Sequence, residues 1–190
     1  MKALSLRQRL NKVDRIHDPL KRKLFALSIL TEALKPHRLR PILIGGSALE
    51  FYTLGGYMTG DMDLALPHSP VVDAIFKNLG FEKDGRYWSH DKHDLLIEAP
   101  TAHLAGEEAP LLKVEVEGLC CYLIGLEDLL LDRLNGFAHW KWEDDGRWVR
   151  RLLELHSEKI NLRYLKKKAK EQLTLKALLS LLKKKEPSRD

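Results

Sequence analysis

Apolar residues recur at two different periods along this chain, and the change of period divides it. In 2–12 and 19–35 they return every three or four positions, with Leu20, Leu24, Leu27, Leu30 and Leu34 on one stripe, so both stretches read as amphipathic helices. Pro36 closes the second. PILIGG, from Pro41, is a short buried strand running into glycines. SALEFYTL then reads as a helix with Ser47 in its first turn and Gly55-Gly56 breaking it. DMDLALP is a second strand stopped by Pro67, and Ser69-Pro70 open the helix VVDAIFKNLG, which ends at Gly80. GRYWSH and DLLIEAP read as strands joined across Asp91-Lys92, and LLKVEVEG and LCCYLIG as a hairpin turning at Gly118. From Leu126 the helical period returns through LEDLLLDRLNGFAHW, RWVRRLLELH, LRYLKKKAKEQL and LKALLSLLKKK. No internal repeat interrupts this order.

The expected class is therefore α+β, a mixed sheet with flanking helices and a helical C-terminal extension. Its divisions are N-terminal helices over 1–40, a sheet-bearing core over 41–125, a helical part over 126–184 and a disordered tail over 185–190. A hydrophobic fraction of 44% in 190 residues supports a core without staples. The only cysteines, Cys120 and Cys121, are adjacent, which excludes a zinc array and fits a reducing compartment. No apolar run reaches the roughly 18 residues of a membrane span. The charged start MKALSLRQRLNKVDR lacks a signal-peptide core, so a cytoplasmic location is expected. Of the net +5, a local +7 falls between Arg163 and Asp190, which carry ten Lys or Arg against three Asp or Glu. A solvated helix face accounts for such runs, and phosphate backbones are the alternative partner.

One apolar stretch carries two carboxylates, Asp61 and Asp63, among Met62, Leu64, Ala65 and Leu66. Strand side chains alternate, so the two acids project to one face and repel unless a cation or hydrogen bonds offset them. Magnesium takes hard oxygen ligands and keeps company with phosphates, which suits a D-x-D pair. An exposed acidic strand end gives the same pattern. Upstream, Gly45, Gly46 and Ser47 stand where a strand passes into a helix. There close backbone approach, free N–H groups and a hydroxyl together make a phosphate cradle or, more simply, a capped turn. A third acid, Glu98 in HDLLIEAP, is placed to complete a metal site or act as a general base, with Asp94 its competitor.

The ordered GGS, DMD and IEA resemble the nucleotidyltransferase (polymerase-beta-like) superfamily pattern of G-[GS], D-x-D and a third acid. IGLEDLLLDRL is similar to the E-D-L helix of bacterial stand-alone members, which include minimal nucleotidyltransferases and abortive-infection-type toxins. The resemblance covers roughly Pro41 to Arg151. It implies a nucleotidyltransferase-like core, Mg2+ as cofactor and a nucleoside triphosphate (NTP) as substrate. The reaction implied is attack on the alpha-phosphorus, with pyrophosphate leaving and the nucleoside monophosphate passing to a hydroxyl on RNA, protein or a small molecule. Gly45, Gly46 and Ser47 would hold the triphosphate, and Asp61, Asp63 and Glu98 would bind metal and carry the chemistry. The spacer from Ser47 to Asp61 is long for the family and contains Gly55, Gly56 and Gly60. The third acid is Glu where Asp is frequent.

Phosphoryl transfer also wants cations, for which Arg133, Lys141 and Arg147 are candidates. Arg133 lies beside Asp132 and would otherwise form a surface ion pair. Trp140 and Trp142 are read as helix-packing residues, with base stacking as the alternative, and Glu143, Asp144 and Asp145 as a solvated loop with a helix-start role before Gly146. The histidines form no metal spacing, and GxSxG, P-loop and GxGxxG motifs are absent. Two other classes remain open: a catalytically inactive nucleotide-binding module or toxin–antitoxin partner, and a basic helical RNA-binding protein. The expected partners are an NTP and tRNA, another RNA or a partner protein.

Overall fold

The computed structural model describes residues 5–106 and 109–183. The expected tail at 185–190 and the first residues of the expected helix at 2–12 lie outside the described residues. The chain divides into two compact units. The first runs to Leu104 and takes in Pro110–Ile124; the second takes Ala105–Ala109 and the chain from Gly125.

In the first unit, Ser5 and Gln8 form a reciprocal capping box on α1 (Leu6–Leu10). Asp18 caps α2 (Pro19–Leu34) by accepting the Lys21 N–H at 2.6 Å, with Pro19 in the first turn. As the proline requires, the α-helix stops at Leu34, and one 3-10 turn carries the chain over Lys35–His37. The middle of α2 is buried on every side from Lys23 to Thr31, the pattern of a central helix rather than a surface one. Its polar members are satisfied internally, Ser28 donating to the Phe25 carbonyl and Thr31 to that of Leu27.

The strands are β1 (Ile42–Leu43), β2 (Met62–Ala65), β3 (Glu82–Asp84), β4 (Tyr87–His90), β5 (Leu95–Thr101), β6 (Leu112–Val116) and β7 (Leu119–Leu123). They form one mixed sheet in the order β3-β4-β5-β2-β1-β7-β6. β1 runs antiparallel to β2 and parallel to β7, and β2 runs parallel to β5. Two helices connect them: α3 (Gly45–Tyr52) after β1, and α4 (Pro70–Leu79) after β2, capped by Ser69 and ended by left-handed Gly80. Trp88 and Phe76 fill the core edge-to-face at 5.2 Å between centroids. β3 is a strand the apolar pattern did not announce. Its Glu82, Lys83 and Asp84 are all exposed, as suits a charged sheet edge, and no apolar alternation can mark it.

The second unit contains α5 (Leu126–His139), α6 (Glu143–Leu155), α7 (Leu162–Glu171) and α8 (Leu175–Lys183). Buried acids organise it. Asp128 accepts from the Tyr164 hydroxyl at 2.6 Å, and Glu127 from the Asn161 N–H at 2.6 Å. Glu143, Asp144 and Asp145 take the expected helix-start role as the first turn of α6, where carboxylates face the positive helix end, but Asp145 is buried rather than solvated. One further expectation is corrected. Trp140 and Trp142 do not pack between helices: they are 69% and 59% exposed and stack on each other at 6.2 Å. The left-handed Lys141 between them (φ 60°) interrupts the helix and turns both rings outward. Among the described residues, no helix is long and apolar enough to cross a membrane.

The two cysteines differ sharply in environment. Cys121 faces the core, and burial first, then neighbouring Cys120, pushes its thiol up to about 12, whereas Cys120 is half-exposed. A thiol-specific reagent at pH 8 is therefore expected to modify one cysteine per native chain. The Cys120→Ser variant should stay unlabelled until denatured; labelling of native Cys120→Ser would contradict the packing of β7.

Candidate functional site

Asp63 and Glu98 lie on two adjacent parallel strands, and Asp61 immediately precedes the first of them. Asp63 is paired in register with Glu98, and the two-residue step from Asp63 back to Asp61 brings the Asp61 side chain to the same side. An oxygen from each carboxylate lies within 4.8 Å of the others. Glu98 is buried and the two aspartates are half-buried. Of the two acids weighed for the third place, Glu98 joins this group. Asp94 instead caps the turn before β5 in a left-handed conformation.

The local chain is shaped around these acids. Gly45 opens α3 with φ +57°, and a Cβ there would collide with the Asp63 carboxylate, so only glycine allows the approach. The Gly46 N–H donates to Asp63 Oδ2 at 3.2 Å, and the Ile44 N–H donates to the Asp63 carbonyl at 2.9 Å. Ser47 is fully buried and gives its hydroxyl proton to the Asp61 carbonyl at 2.6 Å, which ties the first turn of α3 to the start of β2. Thr59 Oγ1 donates to Asp61 Oδ1 at 2.5 Å. The GGS element and the D-x-D pair are thus one hydrogen-bonded unit.

Three supporting residues had no sequence signal. Lys23, buried in α2, pairs with buried Glu50 of α3 at 2.8 Å and donates to the Thr59 carbonyl at 2.5 Å, which fixes the segment that leads into Asp61. Arg86, in the β3–β4 turn, meets Glu98 at 3.1 Å and donates to the Tyr87 hydroxyl at 2.8 Å. The Tyr87 bond first, then the charge of Glu98 and more weakly that of Asp63, raise the Arg86 guanidinium above its ordinary range. Only the pairing of Tyr87 with Glu98 across β4 and β5 brings Arg86 here, and strand register is not written in a single segment.

Arg133 and Lys141 belong to the second unit and are engaged within it. Arg133 forks onto Asp132 at 2.8 Å and Asp145 at 3.2 Å. Burial pulls its guanidinium down, but the two carboxylates more than offset that and leave it raised. Burial pushes the Asp145 carboxyl up against the pull of Arg133. Lys141 is exposed and donates to the Ala138 carbonyl at 3.1 Å. Arg147 pairs with Asp144 on α6.

The acids fit a divalent cation by donor chemistry. All three ligands are carboxylate oxygens, the hard donors such an ion prefers. Beside them Arg86 pairs with Glu98 at 3.1 Å. The Lys23–Glu50 pair generates a separate expectation. Lys23→Met strands a buried carboxylate and should cost about 3–5 kcal/mol, whereas Lys23→Met/Glu50→Leu should recover most of that. Urea unfolding of both variants decides: a single-variant cost below about 1 kcal/mol is the range of an exposed pair and would contradict the burial.

No protein-family model matches the chain, and no curated protein matches it at a significant level. Solved structures do. An antigenic nucleotidyltransferase-like protein from Paracoccidioides brasiliensis aligns at 16% identity over 88% of this chain and 93% of that one, with a TM-score of 0.55. The antibiotic-resistance factor ANT(2'')-Ia aligns at 18% identity over 90% of this chain and 96% of that one, with a TM-score of 0.49. The first of these likenesses shows the fold: the chain adopts the α+β fold of that nucleotidyltransferase-like protein.

Proposed function

We propose that the chain transfers a nucleoside monophosphate from an NTP to an acceptor hydroxyl, with Mg2+ held by Asp61, Asp63 and Glu98. The observation that carries this reading is the convergence of the three carboxylates within 4.8 Å, against the first turn of a helix. Mg2+, when bound, supplies positive charge against the triphosphate oxygens.

The chain's own groups account for the rest. The first turn of α3 leaves backbone N–H groups without helical partners; the Gly46 N–H is given to Asp63, whose carboxylate stands against Gly45, so a phosphate would meet this turn beside Asp63 through its other N–H groups. Ser47 serves here by holding Asp61, since its hydroxyl proton is already given. An acceptor hydroxyl attacks the alpha-phosphorus: the new O–P bond forms, the bond to the bridging oxygen breaks, and pyrophosphate leaves with that electron pair. One of the three carboxylates, with Glu98 the buried member, takes the hydroxyl proton. Arg86 is the cation beside the acids and offsets charge that develops on the phosphoryl oxygens. Arg133 and Lys141 have internal partners and are given no step.

The purified chain, incubated with each alpha-labelled NTP, Mg2+ and cell lysate, should move label into RNA, protein or a small product. Asp61→Asn and Asp63→Asn should each lower the rate by at least about 10²-fold, and Arg86→Gln by about 10-fold or more. EDTA should abolish transfer. Magnesium-dependent NTP binding without transfer would replace this reading by an inactive binding module; absence of both would leave the three acids structural.

A further inference from the structure

Away from the acids, one face of α2 carries two cavities in line. The first, of about 460 Å³, is lined by Arg9, Lys12, Arg15, His17 and Lys21 over a floor that includes Phe25. The second, of about 590 Å³, is lined by Lys35, Arg38, Arg40, Lys113 and Tyr122. Lys21, Phe25, Glu32 and Lys35 follow the three- and four-residue steps of a single helix face, and Lys23, which serves the acids, points to the other side. The β6–β7 turn joins the cavities, Glu117 lining one and Gly118 the other. At 1.5 Å per residue, Lys21 to Lys35 spans about 21 Å.

The charge along this track is not compensated. Its lining carboxylates are Asp18, Glu32 and Glu117. Asp18 caps the Lys21 N–H, Glu117 pairs with Lys21 at 3.1 Å, and Glu32 pairs with Lys35 at 3.4 Å. Among the described residues no carboxylate lies within salt-bridge distance of Lys12, Arg15, Arg38, Arg40 or Lys113. Arg40 instead lies over the Tyr122 ring, 4.6 Å from its centroid. The cations therefore face solvent in a concave row, although the chain's local excess of positive charge by sequence lies elsewhere, after Arg163.

The geometry points to a docking track for a nucleic-acid strand along α2, read through its backbone phosphates. Length and spacing favour this occupant, since cations grouped at the two ends of about 21 Å of helix match phosphates several nucleotides apart on one strand. Arginine guanidinium forks suit phosphate oxygens, and an aromatic ring under Arg40 suits a base or ribose edge. A bound protein would want a desolvated aromatic or aliphatic anchor, and none of the exposed large hydrophobic residues lines either cavity. A bilayer would want protruding apolar groups, and the track is concave.

The test is fluorescence polarisation of the full chain with a labelled 20-nucleotide RNA, the same sequence as DNA, poly-glutamate of equal charge, and anionic vesicles. NTP is omitted and EDTA added, so that binding stands or falls apart from nucleotidyl transfer. Nucleic acid should bind at 50 mM salt and lose about 10²-fold in affinity by 200 mM. Lys12→Glu/Arg15→Glu and Arg40→Glu/Lys113→Glu should each weaken binding at least about tenfold. Lys166→Glu/Lys167→Glu on α7 should change it less than about twofold, and thermal melting should show all three variants folded. RNA and DNA binding alike supports readout of phosphate alone; RNA binding only supports the track with a contribution from the 2′-hydroxyl. No binding at 50 mM salt, equal binding of poly-glutamate, binding of vesicles only, or loss of binding solely in the α7 variant would each overturn the proposal.

Discussion

Three carboxylates gathered within 4.8 Å repel one another, and the first unit is arranged to bear that repulsion. Each acid has a partner within hydrogen-bonding distance. Asp63 accepts a backbone N–H from the start of α3, Asp61 is clasped through its carbonyl by Ser47 and through its side chain by Thr59, and Glu98 meets Arg86. Without these bonds the cheapest relief would be for β2 or the segment before it to move outward. With them, the like charges stay together.

That restraint is anchored deeper than the acids themselves. Lys23 is buried, pairs with buried Glu50 and also takes up the Thr59 carbonyl, so the central helix, the first helix of the site and the approach to Asp61 move as one body. A buried ion pair is an expensive way to gain stability but an effective way to specify one arrangement. The three glycines at 55, 56 and 60 make the intervening segment permissive, and Lys23 removes at its far end the freedom they grant. Beyond the site, the same helix divides its labours by face: one side serves the acids, the middle fills the core, and the side bearing Lys21, Phe25 and Lys35 lines a cationic groove.

Much of this was legible in the chain. Apolar periodicity located the main helices, the D-x-D strand and the β6–β7 hairpin, because a half-buried helix or strand must repeat its apolar positions at its own period. The glycines and the paired acids marked the site because close backbone approach and clustered charge demand those residue types. Other features escaped for identifiable reasons. β3 is charged on both faces, so its strand character comes from its neighbour alone. The burial of Asp145 was hidden because an acid in the first turn of a helix suits a solvated or a packed position equally. The exposed tryptophans inverted a sound expectation because a single left-handed residue turned them outward.

By itself, then, the sequence determined which residue types form the acidic group and the turn beside it and roughly which element holds each, since local period, turn residues and acid spacing are properties of short segments. Only the tertiary structure decided which acid completes the group, that Ser47 restrains Asp61, that Lys23 and Arg86 belong to the same site, and that scattered cations from α1, α2, β6 and the segment before β1 form one row. The reason is physical. Each of these depends on strand register or helix packing between residues far apart in the chain, and such contacts are selected by burial of the whole core, not by any segment that takes part in them.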